Sequence, residues 1–294
     1  MSKNQKGIFG VLIAAVVLAT MVSCSKGPKV EVYAFKCGVL KTQTQYMLKD
    51  TRIGTPMDIP VTFFLIKHDN DWVAFDLGNN NMVAKDPVGY WSKPVCDAYT
   101  PVMAEYEEFQ LQIKKAFNLE PKDLKAVVLS HGHLDHAGAL DNFRGADTEI
   151  YLQKIETKMI NKVRKENKIQ AAYIPADFKD WKEVNIKTVE GVYDIFGDKS
   201  IVMFPTPGHT AGHQSLMVRA SNGKSYVLTA DAQYTNENMY EAVPPGLAYN
   251  IPDAVQGLYT FKIMSFLDDD VRVVPSHDPE YWKDKPLAPK PFDI

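Results

Sequence analysis

Three observations make an α/β fold the prediction for this chain of 294 residues. Short continuous apolar runs, among them Ala126-Val127-Val128-Leu129 and Ile201-Val202-Met203-Phe204, have the character of strands covered on both faces. Stretches of helical period stand among them, as at Val102, Tyr106, Phe109 and Ile113. Four strand-like runs end in a turn that carries His or Asp, an arrangement natural to loops set on a rigid sheet.

The N-terminus is set apart from that fold. Lys3 and Lys6 precede an apolar run from Ile8 to Val22 and then Ser23-Cys24-Ser25, which reads as a secretory signal peptide over residues 1–24. A cysteine directly after a small residue resembles the bacterial lipoprotein pattern, with Met21 where Leu is usual, and implies an acylated Cys24 as membrane contact. The expectation is an exported, membrane-anchored lipoprotein on a periplasmic or cell-surface face, with a short linker at 25–29 and one domain at 30–294. Removing 24 of the 294 residues leaves 270, long for one domain yet compatible with an α/β one. The formal net charge of −3, without a long basic run, leaves no electrostatic footprint for nucleic acid and favours a small-molecule substrate. Cys37 and Cys96 are too few for a disulfide framework and read as small buried hydrophobes.

Within the domain, Ile59–Lys67 and Trp72–Leu77 flank His68-Asp69-Asn70-Asp71 and predict a β-hairpin that puts His68 on the solvated surface. Thr100 and Pro101 are expected to cap a helix carrying Val102, Tyr106, Phe109 and Ile113. A buried strand over 125–130 follows, and beyond it the chain is expected to enter a helix through Ala137-Gly138-Ala139-Leu140. The polar, lysine-rich stretch 153–190 holds a helix at Ile155–Lys165. Strands at Ile201–Phe204, Ser215–Arg219, Ser225–Thr229 and Val271–Val274 complete the pattern, the middle two joined through Ser221-Asn222-Gly223. The connection 233–253 is long enough to serve as a lid or binding wall.

Residues 130–136 read Ser-His-Gly-His-Leu-Asp-His and place four metal-ligand side chains, His131, His133, Asp135 and His136, in a chain with seven histidines. Histidines crowded this closely repel one another when charged, so a metal site explains them better than a polar helix start does. His209 after Pro207-Gly208, Asp231 after Leu228-Thr229-Ala230, and His277 after Pro275-Ser276 add three more donors, each past a strand end. Seven nitrogen and oxygen donors suffice for two divalent ions. Imidazole and carboxylate suit zinc first, and also iron, cobalt or manganese, while the absence of a nearby Cys argues against a closed structural zinc site.

These motifs, with Asp76-Leu77-Gly78 where the family has Asp-Thr-Gly, resemble the metallo-β-lactamase superfamily from about Val30 to the C-terminus. That resemblance implies an αββα sandwich, two mixed β-sheets flanked by helices. It also implies that His131, His133 and His209 hold one ion, Asp135, His136 and His277 the other, and that Asp231 bridges. His136 and Asp231 depart from the true β-lactamases and fit the hydrolase branch. Within it, Thr206–Leu216 and Leu228–Asn238 look like the N-acyl homoserine lactone lactonases, the second segment carrying Tyr234 three residues after Asp231. In those enzymes a tyrosine there hydrogen-bonds the substrate's carbonyl or ring oxygen.

The resemblance thus implies lactone opening by a metal-bridging hydroxide, with Asp135 and Tyr234 catalytic. A thioester or phosphodiester hydrolase, or a surface lipoprotein that binds a metal or signal without turnover, is the alternative. His213 is expected to support a ligand or sit satisfied in its loop, and Asp76 to orient a ligand histidine. Tyr173, Trp181, Tyr240 and Tyr249 are candidates for an acyl-chain groove or for packing.

Overall fold

The computed structural model describes residues 27–294; the signal peptide expected over residues 1–24, with Cys24, lies outside the described residues. Two mixed sheets stack face to face. Among the described residues, strands β1 (Val30–Gln43), β2 (Pro56–His68), β3 (Asp71–Phe75), β4 (Thr100–Val102), β5 (Ala126–Val128), β6 (Glu149–Gln153) and β7 (Asn185–Val189) form one sheet in the order β4-β1-β2-β3-β5-β6-β7. The other, β12-β11-β10-β9-β8, comprises β8 (Tyr193–Asp194), β9 (Ile201–Pro205), β10 (Gln214–Arg219), β11 (Ser225–Leu228) and β12 (Val271–Val274). Strands β3, β5, β6 and β7 run parallel, as do β11 and β12, and the remaining pairs are antiparallel.

The period of two in the strands explains the layering. In β1, Val30, Val32 and Ala34 face the space between the sheets, while Tyr33 and Phe35 face the opposite way. In β11, Tyr226 and Leu228 meet that same central layer and Val227 turns outward. The outer face of the first sheet is covered by the Phe109–Phe117 and Lys154–Glu166 helices through Phe109, Ile113, Ile160 and Val163. The Ile251–Leu267 helix covers the second sheet with Phe261 and Met264. This is the αββα sandwich. At one edge Gln214 joins the two sheets: its backbone N–H donates to Ser130 O at 3.0 Å and its side-chain amide to Leu129 O at 2.8 Å.

Three local expectations are corrected and one connection gains an element. Thr100–Val102 is a short edge strand on β1, not a helix start, and the helix begins at Phe109. Beyond the β1 irregularity after Lys36 an edge was open for pairing, and an edge strand tolerates Pro101. Past the His/Asp cluster there is no α-helix but tight turns and a 3-10 turn at Leu140–Phe143, because Gly138 is drawn back onto the loop after β3, its N–H donating to Gly78 O at 3.1 Å. The 233–253 connection contains a helix, Asn236–Glu241, capped by Thr235. His68 is buried, stacked flat on Phe196 at 3.7 Å and 2.6 Å from Asp198 Oδ2. Cys37 and Cys96 are buried and free.

Candidate metal centre

Where the two sheets meet, the chain ends of β5, β9, β11 and β12 converge. The loop after β5 brings His131, His133, Asp135 and His136, that after β9 His209, that after β11 Asp231, and that after β12 His277. All seven are buried, and their ligand atoms fall into two groups, each within 4.8 Å of one another: His131, His133, His209 and Asp231, then Asp135, His136 and His277. Asp231 touches both groups. Its Oδ2 lies 3.6 Å from His131 Nε2 and 3.2 Å from His209 Nε2, and its Oδ1 lies 3.0 Å from the Nε2 atoms of both His136 and His277.

Partners on the far side of each ring set these directions. His131 Nδ1 is 2.9 Å from Ser130 Oγ, His136 Nδ1 is 2.8 Å from Asp76 Oδ2, and His277 Nδ1 is 2.8 Å from Pro60 O. His209 Nδ1 is 3.0 Å from the Tyr234 hydroxyl. A ring nitrogen pinned outside leaves the other free to serve an ion. Nε2 of His131 and of His136 are buried and make no hydrogen bond of acceptable direction, although Asp231 Oδ1 is 3.0 Å from the latter. Orphaned buried nitrogens facing a shared carboxylate fit a metal centre: a protein that kept them without ions would leave costly unsatisfied groups.

Asp76 and Ala230, at φ of 60° and 45°, occupy the left-handed region on either side of the site. Asp76 repays its strain through three contacts: its carboxylate accepts from Ser130 N at 2.7 Å and Ser130 Oγ at 2.9 Å as well as meeting His136. His213 contributes no ligand atom to either group; its Nε2 accepts the Asp231 backbone N–H at 3.2 Å, and its Nδ1 sits 2.9 Å from Thr206 Oγ1.

Electrostatics divide the cluster. Burial and neighbouring histidines push His131 and His133 well below the ordinary imidazole value, and burial pushes His209 down to about 4 despite Asp231. In His136 burial pushes the same way but is outweighed by Asp231, Asp135 and Asp76, so that ring is held well above its ordinary value. His277 is likewise raised, burial losing to Asp231 and Asp135. For Asp231 the pull of His136, His277 and His209 overcomes burial and holds the carboxyl well below its usual range, whereas burial wins at Asp135 and raises it. Burial, with Asp231 close by, keeps the Tyr234 hydroxyl protonated well beyond neutral pH.

A cavity of about 870 Å³ opens onto the cluster. His133, Asp135, His209, Asp231, Tyr234 and His277 form its polar floor, and Leu40, Met47, Ile59, Leu134, Met159 and Leu247 are among its apolar walls. Tyr173 lines it buried and Tyr249 lines it largely exposed, while Trp181 packs in the core beside Phe178 and Tyr240 stands exposed outside the lining. A buried carboxylate under the floor, Glu156, was hidden in the lysine-rich stretch, where it reads as one more polar helix residue.

Paired imidazole and carboxylate groups bridged by an aspartate at the edge of an αββα sandwich define a metal-dependent hydrolase. Comparison with known proteins agrees. The chain belongs to the metallo-β-lactamase superfamily, whose family model matches residues 58–277. It is 35% identical over 266 residues to the N-acyl homoserine lactonase AttM of Rhizobium radiobacter, covering 89% of this chain and 98% of that one. It is 34% identical over 268 residues to AttM of Azorhizobium caulinodans, with coverage of 90% and 99%. Among solved structures, an N-acyl homoserine lactone hydrolase with N-hexanoyl-L-homoserine bound at its catalytic metal centre shares the fold at a TM-score of 0.79 and 24% identity, over 90% of this chain and 99% of that one. AidC, a dizinc quorum-quenching lactonase, aligns at a TM-score of 0.61 and 16% identity, over 87% and 90%.

Proposed function

We propose that this protein opens the ring of N-acyl homoserine lactones and that it does so with two divalent ions, zinc by preference, held by the seven buried donors. The observation that carries the reading is Asp231, one oxygen turned to His131 and His209 and the other to His136 and His277. His131, His133 and His209 would hold one ion, Asp135, His136 and His277 the other, and Asp231 both. Bound there, such ions supply a water that is nucleophilic at neutral pH and an electrophilic pull on a carbonyl.

The chain's own groups account for the rest. With Nε2 of His209 given to an ion, its Nδ1 carries the proton and donates to the Tyr234 oxygen 3.0 Å away. The phenolic proton of Tyr234 is then free to point into the cavity, where it donates to the substrate's carbonyl oxygen as negative charge develops there. Asp135, on the cavity floor, is the group we assign to carry a proton to the ring oxygen as the C–O bond breaks, an alkoxide being a poor leaving group. The apolar walls accept an acyl chain and exclude water from the ester.

The same reading includes export and anchoring through an acylated Cys24, supported by the basic start, the apolar run and the small residue before the cysteine. Incorporation of labelled fatty acid, abolished by Cys24→Ala, is the expected result in cells.

The test is proton release at neutral pH from protein lacking residues 1–24, with metal content assayed alongside. Short- and long-chain acyl homoserine lactones, a plain γ-lactone, a thioester and an aryl phosphodiester are offered. Rapid acid production from the acyl lactones is expected; turnover of only the thioester or phosphodiester, with two ions bound, would sink the lactonase reading and leave the metal centre.

A further inference from the structure

The Lys154–Glu166 helix supplies no donor to either group of ligands, yet its third residue reaches beneath them. Glu156 is 1% exposed and receives four hydrogen bonds. Its Oε1 accepts from Gly132 N at 2.9 Å and from the Tyr173 hydroxyl at 2.5 Å, its Oε2 accepts from Thr210 Oγ1 at 2.9 Å, and the Gly212 N–H donates to the carboxylate as well. Three of these donors adjoin a histidine of the same half. Gly132 lies between His131 and His133, Thr210 follows His209, and the Tyr173 ring meets the His133 ring edge-on at 4.6 Å and 82°.

Two glycines let the loops come this close. A Cβ on Gly132 would stand 2.8 Å from Tyr173 Cε1, and one on Gly212 would stand 2.4 Å from the Glu156 backbone nitrogen. We infer that Glu156 is a positioning residue: by gathering the loops after β5 and β9 onto one carboxylate, it fixes the three-histidine half of the centre and sets that half's affinity for its ion. The inference rests on reading the cluster as a metal centre.

The chemistry demands a carboxylate. An ionised carboxylate accepts on both oxygens and donates on neither, so it satisfies two backbone N–H groups and two hydroxyls together. A glutamine would set its NH2 against one pair of these donors. Facing Thr210, whose hydroxyl can turn, it would keep the Gly132 and Tyr173 bonds and lose the one from the Gly212 N–H, so part of the cradle survives. An alanine would leave all four donors in a dry site without an acceptor.

The experiment uses protein lacking residues 1–24, loaded with zinc, and measures two stepwise affinities by competition with a chromophoric chelator. Thermal unfolding is followed beside it. Glu156→Ala is expected to weaken one of the two affinities by about 10- to 100-fold and to leave the other unchanged, the range seen when groups that orient metal ligands are removed. Glu156→Gln should recover part of that loss. Two wild-type affinities in folded Glu156→Ala would overturn the inference, and so would parallel loss of both sites with a lowered Tm, which marks a general folding defect. Should Glu156→Ala fail to fold, Tyr173→Phe and Thr210→Val each remove one donor; a smaller weakening confined to one site is expected, and unchanged affinities in both overturn the assignment. Fewer than two ions in the unsubstituted protein would instead refute the metal-centre reading on which this rests.

Discussion

Both halves of the cluster have rings pinned at Nδ1, His131 and His209 by Ser130 Oγ and the Tyr234 hydroxyl, His136 and His277 by Asp76 and the Pro60 carbonyl, but the first is also gathered by a buried carboxylate. His131, His133 and His209 are held from below by Glu156 through main-chain and hydroxyl groups, none of which touches a ligand ring except Tyr173. His136 and His277 are held at the ring itself, by Asp76 and by the Pro60 carbonyl. In the first half burial and neighbouring histidines drive the imidazoles neutral despite Asp231, whereas in the second half three carboxylates surround His136 and overcome burial. A neutral ring is a ready donor, and a ring beside acids must give up its proton first. The same residue type is thus set toward its neutral or its charged form by what stands behind it.

Asp231 is common to both halves, so changing it should do the most damage. Asp231→Asn is expected to bring metal content from two ions towards one and to lower turnover by more than the ~10²-fold typical of losing one oxyanion donor. Two ions per chain in that variant, by metal analysis, would remove its bridging role. Tyr234→Phe separates chemistry from metal binding. Turnover should fall on the order of 10²-fold with both ions retained; unchanged steady-state kinetics would make Tyr234 a packing residue that steadies His209.

Asp76→Asn strikes the second half directly, through His136, and reaches the first only through Ser130 and its contact with His131. It should weaken one stepwise metal affinity by about 10- to 100-fold and the other by less, and equal weakening of both would show that the halves are not independently secured. The smallest effect should come from His213→Ala, which strips the acceptor from the Asp231 N–H and the partner from Thr206. A stability loss of about 1–3 kcal/mol for the buried groups left unpaired is expected from denaturant melts, with metal stoichiometry unchanged.

The residues of the cluster were legible because histidine and aspartate just past an apolar run have few other uses, and the structure brings all seven together. The strands that bear them were legible for the same reason, from Ala126–Val128 to Val271–Val274. Elements whose pattern is settled by distant neighbours were not. Thr100–Val102 carries helix-capping residues and becomes a strand only because β1 offers an edge. His68 looks like a turn residue until Phe196 and Asp198, far along the chain, close over it. β1, β6 and β7 carry lysines and glutamates among their apolar residues, which blurs the alternation that would have revealed them. Glu156 carries no local mark at all: an acidic residue in the first turn of a basic helix ordinarily faces water, and only the tertiary arrangement buries it.

The donors come from both layers of the sandwich, four from the loop after β5 in the first sheet and three from β9, β11 and β12 in the second. Ions seated among them would rivet one sheet to the other at the edge where Gln214 ties itself to Ser130 O by its main chain and to Leu129 O by its side-chain amide. Free metal at a hundred times a site's Kd adds about 2.7 kcal/mol to the folded state. The lifetime of the folded molecule would then follow the metal supply of its surroundings, and a chelator would loosen the sandwich as well as silence its chemistry.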